Sequence, residues 1–436
     1  MDDADVVRRP PFGDNPLLGE RGATTRRSIL ECALEVFGQH GYHGTRVELI
    51  TEAAGCSRPA FYQYFASKQE VFWHLAASMA KAMDAVAGDL GEIGSDADGL
   101  DRLNAWLGEV LDLSTAYTPV LLAFQAAARE QAPTAAGARD VGQRLGEAVL
   151  RSYTGDRQAI HMPSLSRVTA SVVLRSAYYW QIGLGAVSRA DLLDGLAQTV
   201  HRLLHGAVPG VNTTSIGKPP PKRPPRWSGT PPSESDERAM RPRGRQTRRR
   251  LLDAGIATLP VLGYDETRVD DIVAAAGVSH GTFYRYFDSK DALFQTLAAE
   301  AATRMVDLLT VFPDTPSPVE VAGEDHGDES LLAWLRSWFA SYRDNGGILS
   351  AWQEIGAHDP AIAAFSVEVA AVAFDRLVRI VHRRGFGNPT VDAIVLLSVI
   401  ERAPYTVLVL GYVDEAQAVD ASALLIRRGL FDGTRD

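Results

Sequence analysis

Between residues 24 and 75 apolar positions return every three or four residues, in short runs separated by turn chemistry. From about Thr24 to His40, Ile29, Leu30, Ala33, Leu34 and Phe37 fall on one stripe, which predicts an amphipathic helix. Thr45 followed three residues on by Glu48 reads as a capping box, so a second helix is expected from Arg46, with Val47, Ile50 and Ala54 buried. Gly55 follows the last apolar position, where a left-handed residue ends a helix at least cost. Ser57 is then a good N-cap for a third helix, and Pro59 sits early enough in it to be tolerated. Phe61 and Phe65, four apart, are expected in the core. That leaves Arg58, Ala60, Gln63 and Tyr64 on the outer side, with Tyr62 at its edge. Ser67 and Glu70 form another capping box and open a fourth helix at Lys68.

The same pattern returns 222 residues later, without a gap, from Thr25/Thr247 to Leu75/Leu297. In that window 22 of 51 pairs are identical, far above chance, so the stretch is an internal duplication. GYHGTRVELITEAAGCSRPAFYQYFASK in the first copy faces GYDETRVDDIVAAAGVSHGTFYRYFDSK in the second. Thr267 and Asp270 repeat the first capping box with a shorter acid, and Leu251, Leu252, Gly255, Ile256 and Leu259 repeat the first stripe. One departure stands out: Pro260 replaces Gly38, and a proline this late is expected to kink or shorten its helix.

Each copy is thus two short helices about a tight turn, with a helix before and another after, the sequence form of a helix-turn-helix head. The pattern FYxYFxSK after AAGxS resembles the N-terminal head of the TetR family of bacterial transcriptional regulators, in both copies and over all four helices. The resemblance covers about a quarter of the chain by motif. It implies an all-α protein of two tandem units, each a helix-turn-helix DNA-binding head on a helical ligand-binding and dimerisation body. It also implies a repressor more often than an activator.

The resulting division is a mobile N-terminal arm (1–22), a first head (23–75), a first regulatory body (76–206), a linker (207–244), a second head (245–297) and a second body (298–436). The first body is helical by pattern, with breaks at Gly88–Gly99, Pro133 and Tyr153–Pro163. In the linker, the proline-rich run from Lys218 to Pro232 favours extended polyproline conformation and can bury no core. The second body repeats the first in outline: Leu349–Gln353 aligns with Leu121–Gln125, and Tyr405–Gly411 with Tyr179–Gly185. Phe124, Tyr178, Tyr179, Trp180, Trp352 and Tyr405 are the large side chains that the resemblance would place on the wall of an apolar effector cavity; at helical spacing, plain core is the simpler reading.

Charge changes the picture once it is divided. The net charge of −10 argues against a nucleic-acid partner only if spread evenly, yet residues 21–75 carry about +1, 241–297 about +2, and 298–436 about −9. Acidic bodies behind neutral-to-basic heads would orient the molecule on DNA. Arg241, Arg243, Arg245, Arg248, Arg249 and Arg250 lead into the second head, and several are expected to contact phosphate. Cys32 and Cys56 lack partners at metal-ligand spacing and read as small core residues in a reducing cytoplasm. His201 and His205 are four apart on one helix face, but no third ligand is nearby in sequence, so neither a metal nor a cofactor is expected. The acidic start, Met1-Asp2-Asp3, is wrong for a secretory signal. The most apolar stretch, Val391–Val413, is broken as a membrane span by Asp392, Glu401, Arg402 and Pro404.

These readings set the functional expectations. Base edges would meet Arg58, Ala60 and Gln63 in one head and His280, Thr282 and Arg285 in the other, Gln suiting adenine and Arg guanine. Tyr62, Tyr64 and Lys68, with Tyr284, Tyr286 and Lys290, would hold phosphates. Arg46, Ser57, Arg268 and Ser279 complete the candidate DNA-binding set. The chain would then be a pseudo-dimer, or a homodimer, on an asymmetric double-stranded operator, released by a small apolar effector. The alternative is a helical ligand- or protein-binding module whose heads no longer bind DNA. An enzyme is disfavoured: the sequence has no nucleophile–His–acid spacing, no Gly-rich phosphate loop and no metal cluster.

Overall fold

The computed structural model describes residues 20–123, 141–211, 241–264, 266–313, 326–356, 360–383, 387–408 and 410–432. Nearly all of the expected N-terminal arm, the break at Pro133, Phe124 and most of the proline-rich linker lie outside them. Among the described residues every regular element is a helix. In chain order these are α1 (Glu20–Gly44), α2 (Val47–Ala53), α3 (Arg58–Tyr64), α4 (Lys68–Asp89), α5 (Ala97–Ala116), α6 (Val141–Leu150), α7 (Met162–Gln181) and α8 (Arg189–His205). The second repeat gives α9 (Pro242–Leu262), α10 (Val269–Ala276), α11 (His280–Phe283), α12 (Lys290–Thr310), α13 (His326–Gly356), α14 (Pro360–His382), α15 (Pro389–Leu408) and α16 (Glu415–Leu424), followed by a π-helical turn, Leu425–Phe431. The compact units do not follow the repeat: Met1–Asp89 goes with Glu109–Arg144, and Leu90–Gly108 with Leu145–Asp436.

In the first unit, Gly41 (φ 65°) breaks α1, so its regular turns stop at His40. Ile29, Ala33 and Phe37 are buried with Ile50, Phe61, Phe65 and Phe72, as the stripes require. The Thr45–Glu48 capping box does not form. Thr45 is buried, and its hydroxyl donates to the Gly41 carbonyl at 2.6 Å; α2 begins at Val47 with Arg46 as its N-cap. Thr267 does the same to the Gly263 carbonyl at 2.5 Å. Each buried hydroxyl is turned back to the open carbonyl end of the preceding helix, and the N-cap of the next helix falls one residue on, at Arg46 and Arg268. Only one leg of the second box survives, one residue along: the Arg268 amide donates to the Asp271 carboxylate at 2.8 Å.

The second head lies in the second unit. Leu251, Leu252 and Leu259 from α9 are buried with Ile272, Phe283, Phe287, Phe294 and Leu297, and this core continues into the body through Ile348 and Val369. Pro260 does not shorten α9, which ends at Leu262, the counterpart of His40. The ladder closes beyond the proline, where the Gly263 amide donates to the Leu259 carbonyl at 3.0 Å. A proline in the last turn forfeits a single bond and leaves the helix end in place.

The bodies of the two repeats meet within the second unit as a four-helix bundle, α7 and α8 against α15, α16 and the π turn. Here the repeat register is 226: N-caps Ser188 and Asp414, positive-φ Gly185 and Gly411, and Tyr179 and Tyr405 all correspond. Small residues let the helices close up. A Cβ on Gly195 of α8 would lie 2.4 Å from the Val391 Cγ1 of α15. Arg202 and Arg428, also 226 apart, reciprocate: Arg202 Nε donates to the Gly429 carbonyl at 2.8 Å, and Arg428 Nε to the Arg202 carbonyl at 3.3 Å. His201 and His205 donate to the carbonyls of Gly94 (3.0 Å) and Ile93 (3.1 Å) and so act as bridges to the segment ahead of α5.

The bundle also holds a small cavity of about 10 Å³ lined by Thr169, Val173, Thr199, Val395 and Leu425 among others. The hydroxyls of Thr169 and Thr199 are buried without a hydrogen-bond partner. An unsatisfied buried hydroxyl costs roughly 1–3 kcal/mol. Thr199→Val, which keeps the shape and removes the polar atom, is therefore expected to raise stability by about 1 kcal/mol. The measurement is a higher urea midpoint at unchanged slope.

Candidate nucleic-acid interface

Both heads build their third helix in the same way. Gly55 (φ 61°) and Gly277 (φ 62°) supply the left-handed turn. The Ser57 hydroxyl accepts from the Ala60 amide at 3.2 Å, and that of Ser279 from the Thr282 amide at 3.3 Å. Phe61, Phe65, Phe283 and Phe287 then anchor one face in the cores. The opposite face is exposed in register: Ser57, Arg58, Tyr62 and Gln63 in the first head, Ser279, His280, Tyr284 and Arg285 in the second. Ala60, Tyr64, Thr282 and Tyr286 are half-buried at the flanks, and Arg46 and Arg268 are exposed at the helix starts before them. Tyr62 is 42% and Tyr284 55% exposed, each ring edge-on to its neighbouring Phe, so both phenols stand available on the outer surface.

The helices differ in length. α3 has seven residues with Pro59 in its first turn; α11 has four and carries Gly281 there. Glycine has more backbone freedom to lose in a helix, so the second reading helix is the weaker by sequence.

Acidic partners for the first residue of each reading helix were not foreseen. Arg58 pairs with Glu48 at 2.8 Å and His280 with Asp270 at 2.5 Å. The acid lies ten residues upstream in both copies, and that repeated spacing is the signal available in the sequence. These pairs are exposed, so they orient the side chain and release it cheaply.

Several expected phosphate contacts are turned inward. Lys68 donates to the carbonyls of Tyr42 (2.8 Å) and Thr45 (2.9 Å) and lies 4.7 Å over the Tyr42 ring. Lys290 donates to the Tyr264 carbonyl at 2.7 Å and lies 4.2 Å over its ring. Both hold the end of the first helix of the head onto the fourth. Among the six arginines entering the second head, Arg248 is buried over Phe287 at 5.4 Å, as Arg26 lies over Phe65 at 5.3 Å. Arg249 pairs with Asp253 at 2.9 Å, and Arg250 donates to the Ala276 carbonyl at 2.5 Å, closing the end of α10. Arg241, Arg243 and Arg245 are exposed. Charge counting along a sequence cannot separate a cation facing solvent from one closing a helix end.

The aromatic candidates for an effector wall have other partners. The Tyr179 hydroxyl donates to Glu401, Tyr178 lies 4.2 Å beneath the Arg175 guanidinium, and Tyr405 lies 3.9 Å beneath that of Arg402, all in the bundle. Trp180 Nε1 donates to the Val187 carbonyl at 3.1 Å. The Trp352 side chain lies outside the described residues, as does Phe124. Cys32 and Cys56 are free and half-buried; burial, with Cys32 nearby, pushes the Cys56 thiol up.

The family model for bacterial regulatory proteins of the tetR family matches residues 29–75 and again 251–297. The chain thus carries two tetR-family heads in tandem. Among its relatives, the uncharacterized HTH-type transcriptional regulator YvdT of Bacillus subtilis is 35% identical over 86 residues, 20% of this chain and 38% of that protein. The HTH-type transcriptional repressor AcnR of Corynebacterium glutamicum is 37% identical over 73 residues, 17% of this chain and 39% of that one. The chain thus matches about two fifths of the length of these curated relatives. A solved gamma-butyrolactone receptor (ArpA-like protein) is 22% identical, covering 42% of this chain and 98% of its own, with a TM-score of 0.30. The TetR family and these relatives are transcription regulators, not enzymes. Among the described residues no helix is long and apolar enough to cross a membrane, and no group of three or more His, Cys, Asp or Glu is placed to hold a metal ion.

Proposed function

We propose that this chain is a cytoplasmic, ligand-responsive TetR-family repressor whose two unlike heads read the unlike halves of an asymmetric operator as an intramolecular pseudo-dimer. One observation carries the reading: the third helices match position by position in what they bury and expose, while their base-facing residues differ. Arg58 and Gln63 offer one pattern of donors and acceptors beside the methyl group of Ala60, and His280, Thr282 and Arg285 offer another. Tyr62, Tyr64, Tyr284 and Tyr286, with Arg46, Arg268 and the helix-capping serines Ser57 and Ser279, would hold the phosphates. Lys68 and Lys290 would act indirectly, by fixing the helix ends on which the reading helices rest.

Release by a small apolar effector fits the way the second head is mounted. α12 runs unbroken from Lys290 at the head to Thr310 in the body, and Arg304 on it donates to Asn345 of α13 at 2.5 Å. A body that binds the effector in only one of two packings shifts such a rod by its differential affinity alone.

Footprinting on the DNA upstream of the chain's own gene is the test, with Arg58→Ala and Arg285→Ala examined separately. Each change is expected to weaken binding about tenfold and to thin protection on one half of the site only. Affinity should fall steeply with salt as phosphate contacts release counterions. A perfect palindrome under the footprint, or binding indifferent to salt, would overturn the reading; salt indifference would favour heads retained as protein-binding surfaces.

A further inference from the structure

At the crossing of α7 and α15, Arg175 faces Glu401. They occupy the same position of the two repeats: each stands four residues before the matched tyrosine (Tyr179, Tyr405) and ten before the matched glycine (Gly185, Gly411). A residue that meets its own counterpart lies on the approximate two-fold axis relating the repeats, where a homodimer would put like against like. Here the two differ in charge and fit each other. Arg175 Nε donates to Glu401 Oε2 at 2.9 Å, and its terminal nitrogen to Oε1 at 2.5 Å. The Tyr179 hydroxyl is a third donor, and only 15% and 14% of the two charged side chains is exposed. Tyr178 and Tyr179 lie 4.2 and 4.8 Å from the guanidinium, walling it from water.

We infer that the Arg175–Glu401 pair is a pairing code: it makes the first body accept the second and reject another copy of itself. Two first bodies would bring Arg175 onto Arg175, and two second bodies Glu401 onto Glu401, each a desolvated like-charge contact with its hydrogen bonds unmade. Unlike pairing alone satisfies both groups. The segment between residues 212 and 240 joins the partners and keeps their effective concentration high, which favours pairing within one chain over exchange between chains. The Arg202–Arg428 exchange holds no such information, because both members are arginines bonded to backbone carbonyls. The code rests on the in-chain pairing of the proposed function, but its readout is mass and needs no DNA, so either can fail alone.

The test uses the full-length protein with a protease site set into the Lys218–Pro232 run, cleaved after folding and read by native mass spectrometry. Halves of the otherwise unaltered chain are expected to remain together as unlike pairs only, and those of the double reversal R175E/E401R likewise. The double neutral variant R175L/E401L, which keeps apolar packing, is expected to scramble, so that like pairs rise to a fraction comparable with unlike pairs. The single reversals R175E and E401R should lose unlike pairing; mixed before cleavage, these two chains should form a 1:1 complex that neither forms alone. The inference is overturned if the unaltered halves part or yield like pairs, if R175E/E401R fails to recover what the single reversals lose, or if R175L/E401L stays strictly unlike, which would assign the selectivity to shape.

Discussion

Glu401→Ala is expected to lower the unfolding free energy of the second unit by about 3 kcal/mol, the usual loss when one partner of a mostly buried ion pair is removed. The cause is what stays behind. Arg175 keeps its charge with no carboxylate to face, and the Tyr179 hydroxyl loses its acceptor. In the native protein burial opposes the Arg175 charge, but Glu401 and the two tyrosines outweigh it and hold the guanidinium above its ordinary value. Burial, with Glu401 adding to it, pushes the Tyr179 hydroxyl up in the same cluster, so it remains a donor across the working range. Replacing both charged residues with leucine should cost much less than Glu401→Ala, because it leaves no buried charge unpaired and only the Tyr179 hydroxyl without its acceptor. Urea unfolding of the single and double variants measures the difference; equal losses would show that the site contributes packing alone. Trp338 serves as an internal probe, since its Nε1 donates to the Ile400 carbonyl at 2.6 Å beside the pair.

This cluster also marks where sequence reading stops. The heads were legible because their determinants are local: a left-handed glycine, a serine cap and two phenylalanines four apart specify the turn and the third helix without help from elsewhere. The repeat doubled that signal. Thr45 misled because its capping role depends on whether the hydroxyl faces an amide ahead or a carbonyl behind, and burial decided for the carbonyl. Tyr179 and Tyr405 carry a periodicity that announces burial but not the surface they are buried against, so an effector wall and a bundle seam look alike in sequence. Glu401 and Arg402 interrupt an apolar stretch and were visible as breaks in a membrane span. Their structural use required the α7–α15 crossing, which brings together residues 226 apart and leaves no trace in either local pattern.

Phe61→Ala and Phe283→Ala should have comparable energetic cost and unequal consequences. Each ring is fully buried beneath its reading helix and meets a second Phe four residues on, at 5.9 Å between centroids. Deleting such a ring costs about 3–5 kcal/mol, from lost burial and the cavity left behind. The first head has Pro59 and a seven-residue helix with which to absorb part of that loss. The second has Gly281 and four residues, so its reading helix should open locally at a smaller perturbation. Phe283→Ala is therefore expected to erase protection of one half of the operator and to make the amides of α11 exchange at nearly the unfolded rate. Phe61→Ala should weaken the other half while leaving residual protection. Hydrogen exchange and footprinting on the same preparations check this. If the two variants lost exchange protection and footprint to the same extent, helix length and the Pro59/Gly281 difference would not set the margin of the heads, and their inequality would have to lie in the base-facing residues alone.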